Sequence, residues 1–351
     1  MRKRATQRLS TRWPAYPVSA PVSLIAWASF FQKLIFTRLF DIGHAMDGAF
    51  EKGLREIFQS STRFTSQIGE YILGSGGKRL RPKLVMIMGK AVGLAEEKIL
   101  PIAYTVELMH TASLLHDDVV DCTSIRRARP TANQVFGDKP ALLVGDFVTA
   151  SALETMCGLG NLDLVAGIIR TVKSMSEGEL KELQYAKEFH DDLDIYLDII
   201  YLKTATLFEY CASAPGLAAG LSPDALDALA TFGRSVGMGF QIVDDIINLT
   251  PSKDDNKDAF NDIVEGKSTL PLVFLFRENP AVLAEMSGIP DPAERKNRLV
   301  PLITTGILQR SREVAQQYLD EALSALHRAG VKTEELAWIP QAIASQLDNR
   351  F

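Results

Sequence analysis

The chain has 351 residues, 46% of them hydrophobic and 23% charged, with a formal net charge of -5. That is enough apolar residue for a large core, and the charge balance excludes a nucleic-acid binder that works by bulk basicity. Three widely spaced cysteines, Cys122, Cys157 and Cys211, form neither a disulfide framework nor a zinc spacing, which points to a reducing compartment.

The first 40 residues differ in composition from the rest. Arg2, Lys3, Arg4, Arg8, Arg12, Lys33 and Arg38 precede the first acid, Asp41, and Trp27, Phe30, Phe31, Ile35 and Phe36 recur near helical spacing. An Arg-rich, acid-free amphipathic start resembles an organelle transit segment. It suits equally a surface helix lying on anionic lipid, or a plain extension ahead of a true start at Met46. Residues 1–45 are therefore set apart as a basic extension, and residues 46–351 as one domain. No run approaches the roughly 20 apolar residues of a membrane span. The expected place is the cytoplasm, with peripheral membrane contact, or an organelle if the start is a targeting segment.

Beyond residue 45 the pattern is helical. "GSGGKRLRP", residues 74–82, is a glycine turn followed by Lys78, Arg79 and Arg81, with Pro82 near a helix start. Glycines let backbone amides approach an anion, and a helix N-terminus favours negative charge. "AYTVELMHTASLLHDD" repeats small or apolar residues at three and four, as does "LATFGRSVGMGFQIVDDIINL". "REVAQQYLDEALSALHRAG" is amphipathic and stops at Gly330. Breaks are expected at 74–77, 215–220 and 288–292, where Gly and Pro cluster. No alternating strand of useful length is present, so one all-α domain is the economical reading.

"LHDDVVD" at 115–121 is echoed by "IVDDIIN" at 242–248, each ending a long apolar helix. Positions four apart share a helix face, so Asp117 and Asp121 point together with Asp118 beside them. A lone cluster of this kind reads as a solvated helix end. Two copies, the second with Asp244, Asp245 and Asn248, read as two walls of hard oxygen ligands for Mg²⁺, which favours phosphate as a further ligand. Nearby cations fit a polyanion: Arg126 and Arg127 in "RRARP", Lys203, and Lys267 in "EGKSTLP". A nucleotide is disfavoured, because no P-loop pattern occurs.

These stretches carry a resemblance. "GGKRLRP", "HTASLLHDDVVD" followed by "RR", "LVGDF", "EGEL", "KTATLF", "GFQIVDDIIN" and "EGKSTLPL" occur in the order found in trans-prenyl diphosphate synthases, and the sequence resembles the long-chain type of that family from about residue 45 onward. The resemblance implies an all-α isoprenoid-synthase bundle around a deep central cavity, a homodimer, and about three Mg²⁺ ions. It implies head-to-tail condensation of isopentenyl diphosphate with an allylic diphosphate. Carried over to this sequence, it gives Mg²⁺ to Asp117, Asp121 and Asp244, supported by Asp118 and Asp245. It sets Arg126, Lys203, Lys257 and Lys267 on the allylic diphosphate, and Lys78, Arg81, His110 and Arg127 on isopentenyl diphosphate. Thr204 and Gln241 fall near the developing carbocation. By themselves His110 would be a core histidine and Lys203 a surface lysine. His116 is expected to bond locally, and Arg79 to be a solvated cation pairing outward.

Three positions depart from the family pattern: Asn248 for a third aspartate, Ala128 for glycine, and Asn256 for glycine before Lys257. They keep open a catalytically weakened partner subunit of a heteromeric synthase. A terpene cyclase is disfavoured by the full set of isopentenyl-site residues. Roughly one turn before Asp117 lie Ala112 and Ser113, where short-chain members carry an aromatic floor, with Met109 further along. Small residues here predict a product longer than a C15 farnesyl chain, of the kind attached to quinones; a geranylgeranyl diphosphate synthase is the shorter alternative.

Overall fold

The helical periodicity becomes a bundle. The computed structural model describes residues 48, 50–77, 79–127, 129–186, 188–250, 259–331, 336–348 and 350. Expectations placed on Lys78, Lys257, Ala128, Asn256 and the basic extension lie outside these residues. Residues 44–351 form one compact unit.

The elements that matter to the site follow in chain order. They are α1 (Arg63–Leu73), α2 (Leu80–Ala91) and α3 (Glu96–Val120), then a two-strand hairpin of β1 (Ile125–Arg126) and β2 (Arg129–Pro130). Next are α4 (Asp138–Cys157), α5 (Leu162–Tyr185) and α6 (Leu193–Ile200). A π-helical turn, Tyr201–Ala205, leads into α7 (Thr206–Ala218). Then come α8 (Pro223–Leu249), α9 (Asn261–Glu265), α10 (Leu270–Glu278) and α11 (Thr305–Arg328). Short helices complete the fold.

The three long helices read from the sequence are α3, α8 and α11, and the stop at Gly330 is a left-handed residue at φ 66°. Ser222 caps α8, its side chain accepting from Ala225 N, with Pro223 in the first turn. Two expectations change. The break at 215–220 shrinks to its end: Pro215 lies inside α7, and Gly220 makes the turn at φ 74°. A proline removes one helical bond, and tertiary packing on both sides of α7 outweighs that loss. "RRARP", read without strand, folds as the hairpin, with Ile125 opposite Pro130 and Arg126 opposite Arg129.

The core lies between α8, α7 and α11 on one side and α2, α3 and α4 on the other. Phe208 and Phe232 are fully buried there, each contributing about 1.5–3 kcal/mol by leaving water. Two glycines fix the π turn by close approach. A Cβ on Gly178 of α5 would lie 2.7 Å from Lys203 N, and one on Gly237 of α8 would lie 2.5 Å from Ala205 Cα. The turn is thus wedged between two helices. Such π turns concentrate at functional sites.

Candidate active site

A cavity of about 930 Å³ opens where α3, α5, α8 and α9 converge. His110, Ser113, Leu114, Asp117 and Asp121 line it from α3 and its cap, a set spaced by three and four. Gln241, Asp244, Asp245 and Asn248 line it from α8 with the same spacing. Arg126 and Arg127 enter from the hairpin, Lys203 and Thr204 from the π turn, and Lys267 from the segment after α9. Met175, Ile199, Ile200 and Phe240 add apolar wall. Charged groups and hydrocarbon surface therefore share one concavity, as a ligand with a polar head and an apolar tail requires.

Asp118, grouped with its neighbours by sequence, does not line the cavity. It is 6% exposed, and its Oδ1 accepts from Arg126 Nε at 2.8 Å. Asp117 and Asp118 stand about 100° apart around the helix, and Asp118 falls on the side that meets Arg126. For the same reason Ala112 and Met109 are not cavity-lining but pack in the core at 3% exposure each, whereas Ser113 faces the cavity. Of the three residues expected to set chain length, Ser113 lines this cavity and the other two do not. His116, expected to bond locally, instead reaches another helix, α4, with Nε2 3.2 Å from Leu142 O and 3.4 Å from Asp146 Oδ1.

One hydrogen-bond chain crosses from the π turn to α6 through α8. Thr204 Oγ1 donates to Gln241 Oε1 at 2.8 Å, and Gln241 Nε2 donates to Asp245 Oδ1 at 2.9 Å. Tyr196 Oη donates to Asp245 Oδ2 at 2.7 Å. The chain fixes the Gln241 amide and leaves Asp245 bound on both oxygens. Burial, with Asp262 nearby, still pushes the Asp245 carboxyl well above its ordinary range.

The acid walls are crowded. Asp117 is pushed up to about 7 by burial, with Glu179 adding like charge. Asp262, which also lines the cavity, is pushed up to about 7 by burial, with Glu265 and Asp244 adding to the rise and Lys267 opposing it. Opposite them, Lys203 and Lys267 are held charged. Burial is the largest single influence and opposes their charge, but the carboxylates together overcome it: Glu182 with Glu179 at Lys203, and Glu182 with Glu265 and Asp121 at Lys267.

A second cationic corner lies beside His110. Arg81 Nη1 approaches His110 Nε2 at 3.1 Å, and the guanidinium stacks 4.7 Å over the Phe208 ring. Burial and then Arg81 push His110 well below its ordinary range, so it is neutral and accepts that bond. Arg81 Nε is buried with no hydrogen-bond partner among the described residues. Arg127 donates to Gly76 O, which ties the hairpin to the glycine turn. Arg79 corrects its expectation. Its side chain is 10% exposed and pairs inward, with Nη1 2.5 Å from Glu107 Oε1 and Nε 2.7 Å from Glu51 Oε1. Its left-handed backbone, φ 48°, turns it into the bundle rather than out.

Sequence reasoning assigned no role to Glu179, Glu182, Tyr196 or Asp262. Glu179 lies within "EGEL", and Glu182 follows it at helical spacing. Tyr196 carried no sequence signal, because its partner Asp245 is remote in the chain, and Asp262 falls outside every motif quoted above.

The donor set fits a hard divalent ion. Oxygen ligands in excess of cations, three of them (Asp117, Asp245 and Asp262) reluctant to ionise, call for added positive charge. Among the described residues no three acids, histidines or cysteines already form a closed metal cage. Mg²⁺ characteristically takes one or two carboxylates and completes its shell with water and phosphate. No helix among the described residues is long and apolar enough to cross a membrane.

Comparison with known proteins accords with this geometry. The Polyprenyl synthetase family model matches residues 62–301. The octaprenyl diphosphate synthase of Escherichia coli K12 is 34% identical over 277 residues, covering 77% of this chain and 86% of that protein. The crystal structure of a decaprenyl diphosphate synthase from Rhodobacter capsulatus superposes with a TM-score of 0.79 at 31% identity, over 89% of this chain and 98% of that one. A polyprenyl synthase from Caulobacter crescentus CB15, complexed with calcium and isoprenyl diphosphate, also gives a TM-score of 0.79, at 28% identity, over 90% and 98% of the two chains.

Proposed function

The chain belongs to the polyprenyl synthetase family of prenyltransferases, and from that premise we propose that it condenses isopentenyl diphosphate head to tail with an allylic diphosphate, extending it to an all-trans chain longer than farnesyl. The observation that carries this reading is the single cavity in which two acid-bearing helix ends, Lys203 and Lys267 share walls with Met175, Ile199, Ile200 and Phe240.

The family uses Mg²⁺ in general. Asp117, Asp121 and Asp244 would hold about three ions with the substrate diphosphate. Bound there, the metal would supply positive charge for the departing diphosphate. Lys203, Lys267 and Arg126 would hold its remaining oxygens, and Lys257 would join them. Arg81, His110, Arg127 and Lys78 would hold isopentenyl diphosphate, with the unpartnered Arg81 Nε offered to a phosphate oxygen. Asp118 would act through Arg126, and Asp245 through Gln241.

Ionisation breaks the C1–oxygen bond, and the electron pair leaves with the diphosphate. Electrostatic stabilisation placed where charge develops is usually the largest catalytic effect. The Thr204 hydroxyl and Gln241 amide oxygens would face the allylic cation, and the apolar wall would keep water from it. The isopentenyl double bond then attacks that carbon, and the departed diphosphate takes the proton lost from the adduct. No protein base is needed.

Ser113 at the cavity wall leaves room for a long chain, and the E. coli and Rhodobacter relatives are named for long products. Quinone side chains would use such a product. A homodimer, and membrane contact through product or extension, complete the proposal.

Incubation of the protein with labelled isopentenyl diphosphate, farnesyl diphosphate and Mg²⁺, followed by chromatography of dephosphorylated products, tests it. A ladder ending at one defined length is expected. No incorporation by folded protein would favour the partner-subunit reading and direct attention to Asn248.

A further inference from the structure

Glu182 stands between the two lysines assigned above to the departing diphosphate. Its Oε2 lies 2.5 Å from Lys203 Nζ and 3.2 Å from Lys267 Nζ. The lysines come from different elements, the π turn and the segment after α9. Each also has a carboxylate of its own: Glu179 Oε2 at 2.7 Å on Lys203 and Glu265 Oε2 at 2.7 Å on Lys267. Glu182 is the carboxylate common to both, and it lines the cavity, whereas Glu179 does not.

One anionic oxygen touching two ammonium groups is also what a bridging phosphate oxygen would do. We propose that Glu182 is a positioning residue that stands in for the diphosphate: it holds Lys203 and Lys267 together without substrate, and recaptures them as inorganic pyrophosphate leaves. This rests on the function proposed above.

The physical case has three parts. Lys203 and Lys267 are 24% and 21% exposed at the side chain, so losing a diphosphate would strand poorly solvated charges. Glu182 takes them back and so lowers the free energy of the released state. Its charge also opposes the bound diphosphate directly. Finally, its backbone is held close: Gly178, one turn earlier on the same face of α5, packs on Lys203 N and Leu202, which keeps that face against the π turn.

Calorimetric titration of the full chain with inorganic pyrophosphate and Mg²⁺ tests the proposal, comparing wild type with Glu182→Gln. The variant is expected to bind pyrophosphate about tenfold more tightly, the change that 1.4 kcal/mol brings. In steady state its kcat and its KM for the allylic substrate should fall together, with stronger product inhibition. Glu182→Asp, which draws the same charge back by one methylene, should move in the same direction. Glu179→Gln, which touches Lys203 alone, should tighten binding less. Unchanged or weaker pyrophosphate binding by Glu182→Gln, with KM raised, would mean a purely structural role and overturn the proposal. Equal tightening in Glu179→Gln would overturn the bridge, leaving a general loss of negative charge. A folded wild type that binds no pyrophosphate would instead remove the proposed function itself.

Discussion

Arg126 Nε donates to Asp118 Oδ1 at 2.8 Å, so the second carboxylate of the first acidic cluster, outside the cavity lined by Asp117 and Asp121, is joined to it through a lining arginine. Three acids within five residues of sequence thus divide between two tasks.

Asp117→Asn is expected to lower kcat/KM by about a hundredfold or more, as loss of a group acting where charge develops does. Asp118→Asn keeps a hydrogen bond to Arg126 and loses its charge, so a fall of about tenfold is expected, at a price paid through the arginine. Steady-state kinetics of the two variants at saturating Mg²⁺ checks the ranking, and equal losses would place Asp118 with Asp117.

Ligand-free stability should depend on pH through Asp117. Its ordinary value is 3.8, and it is pushed up to about 7 in the folded chain. Between those values the folded state keeps a proton that the unfolded state has released. The group therefore favours folding less as pH rises through that window, and its cost is complete above about 7. Asp117→Asn removes this cost. The variant should match wild type near pH 4 and exceed it by up to about 4 kcal/mol at pH 8. Denaturant titrations at both pH values read the difference, and a gap that is constant with pH would contradict it.

Chain length should separate two adjacent residues. Ser113 lines the cavity, and Ala112 is core. Ser113→Phe is expected to shorten the product with little loss of stability. Ala112→Phe overpacks the interior and should cost about 1–3 kcal/mol. Product chromatography together with thermal melting distinguishes them.

The buried Arg79–Glu107 pair should be sensitive to the loss of one partner. Arg79→Ala leaves Glu107, 6% exposed at the side chain, without its counter-charge, at a cost of about 3–5 kcal/mol. Replacing both residues by apolar ones of similar size should recover most of that loss. A double-mutant cycle by urea denaturation measures the coupling, and additive losses would argue against a pair.

Much of the fold was legible because helical periodicity is local. α3, α8 and α11 follow from apolar residues at three and four, and the shared faces of 113, 117 and 121 and of 241, 244 and 245 follow from the same arithmetic. The hairpin at 125–130 was not legible, since strands of two residues carry no period. Arg79 was read as a solvated cation pairing outward. Glu51 and Glu107, which draw it inward, each lie 28 residues away.

By itself the sequence determined the helical class, the acidic ends of α3 and α8, and the family, through motifs whose spacing is set within a turn or two of helix. Tertiary structure alone decided which carboxylates share the cavity, that Ser113 and not Ala112 meets it, and that Glu182 joins Lys203 to Lys267. Those outcomes depend on how α5, the π turn and α8 approach one another across Gly178 and Gly237. The electrostatic state of the site depends on burial and on charges brought in from distant elements, which a local pattern does not encode.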